Sequence, residues 1–179
     1  MKATKKLTLS AIITAFGALF MSLGAFVEVF DLTAAALASL LMVFVYLEIG
    51  SPYTYLVWIC TTLISALIYP GSLLWLEYLF IFGIYPILKG YIERLYRPFW
   101  LILKLIYANL TVFLVFYLGE LVLGIPFSEG ELFGLPGYAV RLVLVLLLNL
   151  AFLLYDIFIN VMVRFYMTRL RGRFKRFLK

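Results

Sequence analysis

Between Lys6 and Glu28 the chain carries no charged residue, and apolar runs of this kind recur along its whole length. Such stretches mark membrane-crossing helices, because a helix satisfies its own backbone polar groups inside hydrocarbon. The composition agrees: 66% of the 179 residues are hydrophobic and 13% are charged, with a mean hydropathy of +1.11. A soluble fold has nowhere to bury so much apolar surface. The runs are continuous and do not alternate, which disfavours a porin-type barrel. The expected fold is all-α, a single polytopic membrane domain over residues 1–179.

Six spans are expected, at 7–29, 32–49, 53–69, 73–91, 98–123 and 138–165, followed by a basic tail at 166–179. A tight acidic turn with Glu28 and Asp31 separates the first two. Gly50-Ser51-Pro52 and Pro70-Gly71-Ser72 break the chain around the third. Pro86 lies inside the fourth span and is expected to kink it or free a carbonyl. A basic loop with Lys89, Arg94 and Arg97 follows, and the loop at 124–137 carries Glu129 and Glu131. With six spans, every one of the 15 basic residues except Lys104 and Arg141 falls on the side of the two termini. The opposite side receives Arg141 with Glu28, Asp31, Glu129 and Glu131. The positive-inside rule then places both termini in the cytoplasm, and a multi-pass location in a bacterial cell membrane is expected. Lys2, Lys5 and Lys6 before an apolar run imitate a signal peptide, but the run is longer than an h-region, so it is read as a retained first span.

Several functions are excluded by what the chain lacks. It has no histidine, hence neither the commonest general base nor the commonest metal ligand. Its single cysteine, Cys60, excludes an internal disulfide. No metal-ligand spacing, phosphate-cradling glycine loop or nucleophile elbow is present. No catalytic residue, metal or cofactor is therefore expected. An intramembrane acid-dependent enzyme needs paired acids at one depth, and Glu77 with Glu120 is the single such pair. The net charge of +6 sits at membrane edges, where orientation and anionic lipid explain it better than nucleic acid. The tail alternates basic residues with Phe174, Phe177 and Leu178. It reads either as an interfacial helix on anionic lipid or as a solvated stop-transfer tail.

Small residues in the first span, Ala11, Ala15, Ala18, Ser22 and Ala25, recur at steps of four, three, four and three. That spacing lines them along one helix face, where small side chains allow a second backbone to come close. The partner is either another helix of the chain or another protein. Gly17 and Gly24 are read as ordinary packing glycines. Among polar residues at membrane depth, Glu77, Glu120 and Arg141 share one outer level, as a structural ion cluster or as the lining of a solute pocket. Asp156 lies deeper, with Asn149 and Asn160 on the same face of the last span, as interhelical hydrogen bonding or a binding stripe. Asn109 needs a partner that nothing identifies. Glu48 and Lys104 are placed near the cytoplasmic edge, where snorkelling is inexpensive. Trp75, Tyr78, Tyr85 and Tyr117 serve either as packing and interfacial belt or as a stacking surface for a ring-bearing ligand.

With Lys5-Lys6 leading into Ala11-xxx-Ala15 and six spans in 179 residues, the chain resembles the S-component of energy-coupling factor (ECF) vitamin transporters. In that family an Ala-xxx-Ala-xxx-Ala pattern on the first helix docks on a transmembrane T-component. Here Ala11 and Ala15 match and Leu19 occupies the third position. The resemblance implies Ala11, Ala15, Ala18 and Ser22 as the docking surface, with a T-component and two ATPase subunits as partners. It implies a small-molecule site near the outer face, at Glu77, Tyr78, Tyr117, Glu120, Arg141 and Asn149. The chain is also similar to the MreD membrane protein of the rod-shape machinery, through Asp31-Leu32-Thr33 and an apolar helix ending in Tyr46-Leu47-Glu48. That similarity implies a non-catalytic structural subunit.

Overall fold

A computed structural model of the chain describes residues 3–124 and 137–172. Every regular element among them is helical. Helix α1 (Ala3–Phe26) turns through a short 3-10 segment (Glu28–Phe30) into α2 (Asp31–Glu48), whose first residue is an acid suited to a helix N-terminus. Gly50, at φ +81°, closes α2 by sending its N–H to the Val45 carbonyl at 2.9 Å. Helix α3 (Tyr53–Ile68) then runs to the Pro70-Gly71-Ser72 break. Next come α4 (Leu74–Glu77), a π-helical turn (Tyr78–Phe82) and α5 (Tyr85–Ile92). The long α6 (Pro98–Leu123) ends on Gly124 in the left-handed region, and α7 (Gly137–Phe165) continues into a second π turn (Tyr166–Leu170). Among the described residues four helices are long and apolar enough to cross a membrane: α1, α2, α6 and the run Leu142–Leu170. The apolar α3 is shorter.

Glycine decides how α1 packs. Its buried face is Ser10, Thr14, Gly17, Met21 and Gly24, with Ile13 and Ala18 beside it. This stripe has the same four-three rhythm as the alanine stripe but starts one residue earlier, about 100° around the helix. A Cβ at Gly24 would lie 2.6 Å from the Ala34 Cβ and 3.3 Å from the Asp31 Cα. A Cβ at Gly17 would lie 3.1 Å from the Thr61 side chain on α3. The alanine stripe flanks this contact: Ala18 is buried, Ser22 and Ala25 are half-buried, and Ala11 and Ala15 are exposed. Glycines permit a closer backbone approach than alanines, so they set the rotation of the helix.

The segment 74–92 is broken because Pro86 has no N–H for the carbonyl of Phe82, four residues earlier, and its ring crowds that carbonyl. The backbone widens into the π turn, where the Gly83 N–H reaches Tyr78 O at 2.7 Å. Three carbonyls left without their usual helical donors are met from three different helices. Trp58 Nε1 of α3 donates to Leu79 O at 3.1 Å, the Tyr107 hydroxyl of α6 to Phe80 O, and the Tyr155 hydroxyl of α7 to Phe82 O at 3.1 Å. Gly83 is tight against Trp58, to whose Cδ1 a Cβ would come within 2.4 Å. The main core gathers around this break, with Tyr78 and Tyr85 wholly buried beside Met21, Ala35, Phe152 and Ile159. A smaller cluster of Ile13, Val45, Ile49 and Val57 joins α1, α2 and α3 at the other end of α1.

The close approach of α1 to α2 is testable. Gly24→Leu should lower the stability of the protein in detergent by roughly 1–3 kcal/mol, through overpacking. Ala11→Leu, on the exposed side of the same helix, should stay within about 0.5 kcal/mol of the parent. Equal unfolding midpoints for the two variants would contradict this packing.

Candidate membrane-embedded binding site

Helices α2, α6 and α7 and the segment 74–82 enclose a cleft of about 510 Å³, within the range of small-molecule sites. Its floor is Phe82, Ala108, Thr111, Phe152 and Tyr155, all buried. The rim residues Leu32 and Leu37 on α2 and Ala151 and Leu154 on α7 are exposed. The walls are apolar apart from Thr33, Thr111, the Tyr155 hydroxyl and Glu77. The first three are occupied: Thr33 Oγ1 donates to Phe30 O at 2.7 Å, Thr111 Oγ1 to Tyr107 O at 2.9 Å, and Tyr155 to Phe82 O. Glu77 differs. Its Oε2 is buried and has no hydrogen-bond partner. A buried acceptor without a donor is costly, so this oxygen is where the cleft has unspent affinity for a donor.

Beneath the cleft lies a cluster of charges. Tyr85, Lys89 and Glu93 follow one another at steps of four along α5 and its C-cap residue, hence on one face. Lys104 comes from α6 and Asp156 from α7. Lys89, Lys104 and Asp156 keep only 4%, 6% and 8% of their surface exposed. Asp156 Oδ1 accepts from Lys89 Nζ and, at 2.5 Å, from the Tyr85 hydroxyl; Oδ2 accepts from Lys104 Nζ at 2.8 Å. Both lysines also reach Glu93 Oε1, at 3.2 Å and 2.9 Å. Two ammoniums therefore face two carboxylates, and the group is neutral as a set. Both oxygens of Asp156 are engaged, so the cluster ties α5, α6 and α7 together. Phe152 separates it from the cleft, edge-on to Tyr85 with ring centroids 4.6 Å apart.

The residues expected to form the site are distributed as follows. Glu77 lines the cleft. Tyr78 is wholly buried in the core beside it. Tyr117 and Glu120 lie on the exposed side of α6, with Tyr117 stacked on Phe113 at 6.2 Å. Arg141 is in α7, but its side chain lies outside the described residues, as do Glu129 and Glu131. Asn149 forms a reciprocal amide pair with Asn109: each Nδ2 donates to the other's Oδ1, at 3.0 and 3.1 Å. Each also donates to the carbonyl four residues back on its own helix. Asn109 thus has its partner, and the pair joins α6 to α7. Asn160 is exposed.

Two residues differ from their expected positions. Lys89, expected in a basic loop, and Lys104, expected at a snorkelling edge, are both buried. Asp156 and Glu93 supply the counter-charge that makes burial tolerable. The signal in the sequence was the run Tyr85, Lys89, Glu93 at helical spacing, together with a deep aspartate that needed cations. Glu48, expected at the edge, accepts from Arg171 Nε at 2.9 Å. No family model, curated protein or solved structure matches the chain.

The cluster's role as a tie is testable by pairwise replacement. Asp156→Leu alone leaves two buried lysines facing one carboxylate and should cost about 3–5 kcal/mol. Adding Lys89→Met restores a neutral Lys104–Glu93 pair and should recover most of that loss. A double variant no more stable than the single one would show that charge balance is not what holds the three helices.

Proposed function

We infer that the chain is a six-span membrane protein that binds a small molecule inside the bilayer, as the substrate-binding subunit of an ECF-type uptake transporter. The observation that carries this reading is the cleft, in whose lining the one buried polar atom without a hydrogen-bond partner is Glu77 Oε2. In this reading α3 and the broken segment 74–92 complete the six spans, and both termini are cytoplasmic. Support for the paired ends comes from contacts. Lys6 lies over the Tyr53 ring at one end of α3, and Arg171 bonds to Glu48 at the adjoining end of α2. The start of α1 and the last described turn therefore meet one end of the bundle.

Energy would come from partners, a T-component with two ATPase subunits. The docking surface would be the part of the alanine stripe that the chain leaves open, Ala11 and Ala15. Anionic lipid would hold the basic tail. The second reading, a structural subunit resembling MreD, draws on the broad exposed apolar sides of α6 and α7, such as Leu110, Phe113, Leu146 and Leu150. It needs no ligand in the cleft.

Purification in mild detergent followed by native mass spectrometry separates the two. The transport reading expects a bound small molecule that is lost in Ala151→Phe, which fills the rim of the cleft. It also expects Ala11→Trp with Ala15→Trp to abolish co-purification of membrane partners. An empty parent protein whose partners survive both tryptophans would favour the structural subunit.

A further inference from the structure

We propose that the ligand of the cleft is a lipophilic amine, with an apolar body and one ammonium, that enters from the bilayer between α2 and α7. This rests on the reading of the cleft as the solute site and adds the ligand's chemistry and its route.

The chemistry follows from the polar atoms of the wall. Thr33, Thr111 and Tyr155 direct their hydroxyl hydrogens to carbonyls of the protein itself. Glu77 is the one ionisable group in the lining, and its Oε2 is buried without a donor. A carboxylate in apolar surroundings favours a cation that also donates a hydrogen bond, and it repels an anion. The rest of the lining offers only apolar contact, so a single polar head is all that the ligand can usefully carry. Glu77 interacts electrostatically with Asp31 at the start of α2, whereas Phe82, five residues further along the segment, and Tyr155, which donates to the Phe82 carbonyl, line the cleft more than a turn away. The head therefore belongs at one end and the apolar body along the floor.

The route follows from the rim. Leu32, Leu37 and Leu154 line the cleft and are also 49%, 45% and 59% exposed. Leu37 is seven residues into α2, and Leu154 lies near the middle of α7. A mouth flanked by large aliphatic side chains at mid-helix depth faces acyl chains in a bilayer-spanning protein. A solute arriving there has already partitioned into lipid.

The test uses the full chain in nanodiscs of zwitterionic phosphatidylcholine, with binding to empty discs subtracted. The probes are radiolabelled dodecylamine, dodecanol and dodecanoate. The proposal expects saturable binding of about one dodecylamine per chain, weakened about tenfold or more by Glu77→Gln, because a charged hydrogen bond is lost. Dodecanol should bind more weakly and dodecanoate not at all. Butylamine, which has the head without the body, should not compete. Equal binding of the amine to parent and Glu77→Gln, or binding of the alcohol as tight as the amine, would overturn the amine while leaving the cleft as a binding site. If no probe binds and the parent carries a small molecule that Ala151→Phe removes, the amine chemistry is wrong and the solute site stands. If no probe binds and no small molecule is carried, both fail.

Discussion

Pro86 withholds one N–H in the first turn of α5, inside the broken segment 74–92, and the rest of the bundle is arranged around the consequence. In an interior shielded from water nothing replaces a missing donor, so a freed carbonyl must find a protein partner or remain at a cost of several kcal/mol. Here the partners are aromatic side chains from three directions, Trp58, Tyr107 and Tyr155. Each brings a rigid ring for packing together with one donor at its tip. The break therefore works as a hub, fixing α3, α6 and α7 relative to the segment they surround. It also explains why Gly83 sits where it does, since any side chain there would collide with Trp58.

The same hub divides the polar residues into two kinds. Below it, Asp156 is saturated by Tyr85, Lys89 and Lys104, and its charges cancel against Glu93 and the lysines. Above it, Glu77 faces the apolar cleft with one oxygen unanswered. Two acids on facing sides of one aromatic layer thus have opposite fates. One is consumed in holding helices together, and the other keeps an unanswered oxygen, on which the proposed ligand site rests. That contrast underlies the functional reading more than the volume of the cleft does.

Much of the architecture was legible in the sequence. Charge-free runs and Gly/Pro punctuation located the helices to within a few residues, and the effect of Pro86 on a carbonyl was foreseeable. The rotation of α1 was not, because Gly17 and Gly24 run in the same rhythm as the alanines one residue away. Only the facing residues, Ala34 and Thr61, decide between the two stripes. The buried lysines were hidden for a related reason. A basic residue near a helix end reads as an edge residue until a deep carboxylate on a distant helix is known to face it. Asn109 and Asn149, forty positions apart, illustrate the same limit, since each shows a need for a partner without saying which one.

A double-mutant cycle between Pro86 and Tyr155, measured as unfolding free energy in a fixed detergent, addresses the hub most directly. Tyr155→Phe in the parent leaves Phe82 O without its donor and should cost about 1–3 kcal/mol. In a Pro86→Ala background the restored N–H can serve that carbonyl, so the same substitution should cost clearly less, with a coupling of at least about 0.5 kcal/mol. Equal costs in the two backgrounds would contradict the account, because the tyrosine would then be filling space and not replacing the missing donor.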